Sequence, residues 1–162
     1  MRTTIIMLIC CLLLIGCSQA APAPESSAPS TAEVILTPAP MEIEVFYGNE
    51  QADGFNSATF EVNYFNSTTL IEKLIEVGAL TEDVSLLSEE YYSTCLHLDF
   101  NDAFGDLVCS MGTSGEYIVI GSVVNTFLNN YRELAQSVFI TVNGEIFESG
   151  HVIYDFEMTR FE

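Results

Sequence analysis

The stretch TSGEYIVIGSVVNTFLNN at residues 113–130 can be read as helix or as strand, and the order of elements in the whole domain turns on that choice. Thr113 and Glu116 have the spacing of a capping box, and Tyr117, Ile120, Gly121, Val124 and Leu128 recur as a helical stripe. Tyr117 to Ile120, by contrast, is β-favouring in composition. Taken locally, the two signals balance.

The flanks are clearer. Downstream, Val138, Ile140 and Val142 alternate up to Asn143-Gly144, and Glu145 to Phe147 returns, which predicts a tight hairpin around a two-residue turn with positive φ. Upstream, extended stretches at about Ser85–Glu90 and Tyr92–Phe100 read as a strand pair, with Leu96, Leu98 and Phe100 sharing one face. Before them, Ser67-Thr68-Thr69 supplies capping residues for a short amphipathic helix that carries Leu70, Ile71, Leu74 and Ile75 and stops at Gly78. The domain starts at Met41, where Ile43, Val45 and Tyr47 alternate with Glu42 and Glu44. After a polar loop from Gly48 to Ser57, the run Phe60-Glu61-Val62-Asn63-Tyr64 alternates again and closes a long-looped hairpin. No internal repeat is apparent.

In succession, Leu96-His97-Leu98-Asp99-Phe100-Asn101, Gly115-Glu116-Tyr117, Ser122-Val123-Val124-Asn125-Thr126 and Val142-Asn143-Gly144-Glu145 resemble the GerMN domain of spore-formation and germination lipoproteins. Ile43–Tyr47 and the Leu70–Gly78 helix fall where that family has its first strand and first helix. Gly150-His151 looks like its closing Gly-His, so the likeness covers most of residues 41–151. The resemblance places the Asn-Thr pair on a helix that begins just after the Gly-Glu-Tyr turn, so residues 114–130 are expected to be helical. The order is then ββαββαββ, an α+β sandwich of a mainly antiparallel or mixed sheet with two helices on one face. Two features depart from the family pattern. The loop Gly78-Ala79-Leu80-Thr81 lacks the proline often found after that leucine, and the best-known members carry two such domains in tandem where this chain has one. What the resemblance implies is a membrane-anchored, non-enzymatic module in the envelope of a Gram-positive, spore-forming bacterium, similar to the ring-forming domains of sporulation channels. Its partners would be envelope or sporulation-complex proteins, and it would need no cofactor.

The rest of the chain supports an exported, acidic protein. Its 162 residues suit one domain. With 4 Lys and Arg against 23 Asp and Glu, the net charge is −19, which excludes nucleic acid and electrostatic adhesion to anionic lipid. Lys73, Arg132 and Arg160 are the only cations after Arg2, too few for a phosphate-handling groove. One Arg followed by the apolar run Ile5–Ile15 has the length of a signal-peptide core and is short for a membrane span. It ends Leu14-Ile15-Gly16-Cys17, which resembles the lipobox of bacterial lipoproteins. That resemblance implies cleavage after Gly16, a diacylglycerol on Cys17, and a location on the extracytoplasmic face of the cell membrane, since two acyl chains anchor stably. Ordinary secretion, with cleavage near Ala20 or Ala21, is the alternative. Loss of residues 1–16 removes Arg2 and no acid, leaving 3 basic and 23 acidic residues, a net charge of −20. The acylated Cys17 and a linker to residue 40, which holds all 5 prolines, then precede a single domain at 41–162. An extended linker of this length holds the domain at most roughly 70 Å from the membrane, within the cell-wall region.

Processing leaves two cysteines besides Cys17. Cys95 and Cys109 stand 14 residues apart, and either one disulfide or two reduced, partly buried thiols suits the spacing. Cys95, His97 and Asp99 alternate on one strand face and so suggest a nucleophile, base and orienter. Their rise of about 6.6 Å per pair opposes this, because nucleophile and base must approach to about 3 Å. His97 and Asp99 lack further metal ligands, and a half-exposed polar sheet face is the simpler reading. Asp99, Asn101, Asp102 and Asp106 fail the calcium-loop pattern, since Ala103 and Phe104 occupy its fifth and sixth positions. The leading function is an anchored binding or assembly module; a wall-modifying enzyme or a small solute-binding lipoprotein are the alternatives from other classes.

Overall fold

In the computed structural model the described residues are 39–162. The signal segment 1–16, Cys17 and the linker up to residue 38 lie outside them.

Met41–Gly48 (β1) and Phe55–Val62 (β2) form an antiparallel ribbon, paired from Met41 opposite Val62 to Gly48 opposite Phe55. The second strand thus starts at Phe55 rather than Phe60, and the connection is a short turn in which Asn49 and Asp53 bond each other and Ala52 has φ 53°. Ser67–Glu76 (α1) follows. Its cap is Asn66, one residue before the predicted set, whose side chain accepts from Thr69 N at 2.8 Å. It ends in a Schellman motif: Gly78, at φ 77°, donates to Ile75 O and Ala79 donates to Leu74 O, each at 2.9 Å.

Leu86–Tyr92 (β3) and Cys95–Phe100 (β4) pair antiparallel, as expected from the sequence. The chain then forms Asp102–Ser110 (α2) and Thr113–Asn130 (α3) before Ser137–Val142 (β5) and the two-residue Glu145–Ile146 (β6). β5 lies parallel to β4, and β6 turns back on β5 through Asn143 and Gly144, at φ 52° and 76°, the predicted positive-φ turn. The fold is α+β, with strand order β3-β4-β5-β6 in a mixed sheet. Two points correct the sequence reading. The described residues contain three helices rather than two, because the acidic segment after Asn101 is helix α2, with Phe104 and Val108 fully buried one turn apart. The β1–β2 ribbon is a separate sheet rather than part of one continuous sheet.

Leu96, Leu98 and Phe100 from β4 and Val138 and Ile140 from β5 present the core face, on which Phe104 stacks over Phe100 at a centroid distance of 4.2 Å. Leu70, Leu74, Ile120, Val123, Val124 and Phe127 complete the same core from α1 and α3. α3 is buried over most of its circumference because it lies against both the ribbon and β5. Gly121 admits this: a Cβ there would lie 2.3 Å from the Phe55 ring and 3.1 Å from Phe161.

Candidate functional site

The face of the four-stranded sheet opposite the core is built from alternate residues in register. Tyr92, Cys95 and Ser137 form one row, Glu90, His97 and Phe139 the next, and Ser88, Asp99 and Thr141 a third. Strand geometry keeps Cys95 and His97 from meeting. His97 Nε2 lies 3.2 Å from Thr141 Oγ1, and Thr141 donates to Asp99 Oδ1 at 2.7 Å, so His97 carries its proton on Nε2 toward the threonine. Asp99 also accepts from Gly144 N at 2.7 Å and thereby braces the hairpin turn. Burial pushes the Cys95 thiol above its ordinary value; Ser137 lowers it and the Glu157 charge raises it further. A thiol that burial and the neighbouring Glu157 carboxylate hold in its neutral form is a poor nucleophile. The face is also less solvated than expected, since Cys95 and Thr141 are buried.

Cys95 and Cys109 are free thiols. The bridge left open by the spacing is not formed, because Cys95 opens β4 on this face whereas Cys109 is exposed on α2, with Sγ 3.8 Å from Glu148 O. Asp102, considered above for a calcium loop, accepts from the Asn143 side chain. Among the described residues, no group of three His, Cys, Asp or Glu is placed to hold a metal ion.

A second constellation joins Glu116 to the tail. Thr113 is the first helical residue, with Gly112 as N-cap, so the capping box is not formed and Glu116 turns inward, 2% exposed. It accepts from Ser149 Oγ and from Tyr154 Oη (2.7 Å) on one oxygen, and from His151 Nδ1 (2.9 Å) on the other. Burial would raise this carboxyl, but those three hydrogen bonds and the His151 charge outweigh it and hold it below its ordinary value. Burial, and then the Glu116 bond, raise the Tyr154 phenol. A carboxylate so fully engaged and so acidic cannot serve as a general acid at neutral pH; it latches residues 149–154 to the start of α3.

The outer edge of β1 is closed by side chains of α3. Asn130 takes the place of a strand partner: Glu44 N donates to its Oδ1 at 3.2 Å, and its Nδ2 donates to Glu44 O at 2.7 Å. Thr126 Oγ1 accepts from Phe46 N at 2.9 Å. Asn125 holds Phe161 in the same way, accepting from its N–H at 2.8 Å and donating to its carbonyl at 3.1 Å. β5 is bordered by β6 and by Met158, which exchanges two backbone bonds with Val138. The outer edges of β2 and β3 have no strand partner among the described residues.

No family model and no curated protein matches the chain. Among solved structures, it is similar to the tandem GerMN domains of the sporulation protein GerM from Bacillus subtilis, with a TM-score of 0.54 and 22% identity. The described domain has a GerMN-like fold. That match covers 77% of this chain but 46% of the Bacillus chain, so this protein spans about half the length of the tandem structure. A candidate lipoprotein from Clostridium perfringens also matches, with a TM-score of 0.45, 12% identity and coverage of 75% and 88% of the two chains.

The residues that carry the GerMN resemblance have definite places in this fold. Gly115-Glu116-Tyr117 lies within the first turns of α3 rather than before it, and its glutamate meets the histidine of Gly150-His151. Asn125-Thr126 ties α3 to the tail and to β1. Asn143-Gly144 makes the β5–β6 turn. Sequence reasoning named these segments but not their contacts; Ser149 and Tyr154, which complete the Glu116 latch, carried no signal of their own.

Proposed function

We propose that this chain is a membrane-anchored extracytoplasmic lipoprotein whose GerMN-like domain docks onto envelope proteins during sporulation, germination or envelope assembly, without turnover of a substrate. One observation carries the docking reading. Among the described residues β3 has an unpaired outer edge, with Leu87 52%, Tyr91 42% and Tyr92 59% exposed, a ready template for an added strand. The acids Glu89 and Glu90 on the same strand disfavour pairing with another copy of so acidic a chain while admitting a matched partner. Leu14-Ile15-Gly16-Cys17 supports the anchor.

A photo-crosslinking residue at Ser88, tested in intact cells of the native host, should trap a defined envelope protein. Hydrolysis of peptidoglycan, esters or peptides by the purified protein, with no crosslinked partner, would overturn the reading. The anchor is tested by Cys17→Ala: the protein should leave the membrane fraction, because no described helix is long and apolar enough to span a membrane. Retention of that variant through a high-salt and carbonate wash would refute lipid anchoring.

A further inference from the structure

On the sheet face opposite the core, beside β3, Tyr92, Cys95, His97, Phe139 and Glu157 line a cavity of about 190 Å3. Small-molecule sites usually enclose about 300–1,000 Å3, so this volume suits a single inserted side chain better than a separate ligand. Three ring systems bound it in sequence: Tyr92 and His97 lie 5.9 Å apart between centroids, and His97 and Phe139 meet edge to face at 5.0 Å. Cys95 contributes a neutral, buried floor, 7% exposed. The polar elements are carboxylates. Glu157 lines the cavity and accepts from Ser137 Oγ at 2.6 Å, and Glu90, directly opposite His97 in the register, accepts from the Tyr92 hydroxyl. No Lys or Arg lines the cavity, in a domain that carries Lys73, Arg132 and Arg160 against 21 acids.

Ring faces and a carboxylate in a negative field form a recognition site for a cation. We infer that this pocket receives the guanidinium of an arginine side chain presented by the protein that docks along β3, an inference that rests on the docking reading above. Arginine fits better than lysine because its plane can stack on a ring while its edge keeps donors for a carboxylate, and because it is less strongly hydrated. Tyr92 belongs to β3 itself, so a strand added to that edge would run beside the pocket and send alternate side chains over this face.

The test uses the mature chain carrying Cys17→Ser, isotopically labelled for NMR and titrated with the blocked peptide Gly-Ser-Arg-Ser-Gly and with its citrulline counterpart, which keeps the shape and loses the charge. The arginine peptide should shift Tyr92, His97, Phe139 and Glu157 and bind at least about fivefold tighter than the citrulline peptide. Phe139→Leu, which keeps apolar bulk and removes the ring, and Glu157→Gln should each weaken it about fivefold with unchanged melting. Equal affinity for the two peptides, equal affinity in both variants, or shifts scattered over the acidic surface would overturn the inference. The Ser88 crosslink separates the two proposals. A crosslinked partner with no peptide bound at the pocket defeats the arginine site alone, whereas peptide binding at the pocket with no crosslinked partner defeats the docking reading and with it the docked protein as the source of the arginine.

Discussion

The two faces of the four-stranded sheet come from the same strands and differ in almost every chemical respect. On the helix side Leu96, Leu98, Phe100, Val138 and Ile140 are all 0% exposed, and they join one apolar core. On the other side the same strands show Cys95, His97, Asp99, Ser137, Phe139 and Thr141, tied to one another and to the tail by hydrogen bonds and ring contacts. Period-two alternation therefore gives the two faces different chemistry: one is the apolar core, and the other is polar and aromatic. The β4–β5 pair is parallel, a pairing that usually lies in sheets covered on both sides. Among the described residues no helix packs on the second side, the side on which docking is proposed.

The difference between the faces is largest at Leu98, which is 0% exposed. Leu98→Ala should cost about 3–5 kcal/mol in denaturant or thermal unfolding, since it empties a fully buried site surrounded by helices that cannot collapse into it. A loss below about 1 kcal/mol would mean that the covered face is not the core.

The Glu116 latch sharpens the same contrast, because it is a buried polar device on the helix side. Glu116→Ala leaves the Ser149 and Tyr154 hydroxyls without their acceptor and should cost about 3 kcal/mol at pH 7. The sign of the pH dependence follows from the direction of the shift. A carboxyl held lower in the folded state than in the unfolded chain contributes fully above about pH 4.3, and the contribution fades as pH falls through the lower folded value. The gap between wild type and variant should therefore narrow below about pH 4.3. A gap that did not narrow below about pH 4.3 would show that the carboxylate is not stabilised by its partners.

Much of this fold was legible in the sequence, for physical reasons that also explain what was not. The β5–β6 hairpin is local: Asn143-Gly144 adopts positive φ whatever surrounds it, so the turn could be read directly. Gly78 likewise marked the end of α1. Helix α2 was hidden because Gly105 sits in its middle and Asn101 spends its side chain on Ser85 N and Asp83 O instead of capping, so its one signal was the apolar stripe of Phe104, Leu107, Val108 and Met111. Glu116 looked like half of a capping box, yet long-range partners at 149–154 claimed it. The open face was visible as an alternation, whereas its pocket needs Phe139 and Glu157, which only the parallel pairing of β5 and the return of the tail bring beside Cys95.

Asn130 tests how the ribbon is joined to the rest of the core side. Asn130→Ala deletes both backbone partners of Glu44 and should cost about 2 kcal/mol, with faster amide exchange at Glu44 and Phe46 than elsewhere in β1. Asn130→Asp keeps an acceptor for Glu44 N but removes the donor to Glu44 O and sets a carboxylate oxygen against that carbonyl. It should be no better than alanine. Full stability of either variant would show that β1 is held by apolar packing alone.

The smallest expected effect lies on the open face. His97 is half-buried, and its one polar contact is with Thr141, which has Asp99 as a separate partner at 2.7 Å. His97→Ala therefore strands no buried group: Thr141 still donates to Asp99, and Asp99 still receives Gly144 N. What is lost is ring contact with Tyr92 and Phe139 on a face that water already reaches. The change in unfolding free energy should stay within about 0.5 kcal/mol. A loss near that of Leu98→Ala would mean that both faces are load-sharing parts of one core, and the case for reserving this one for a partner would fail with it.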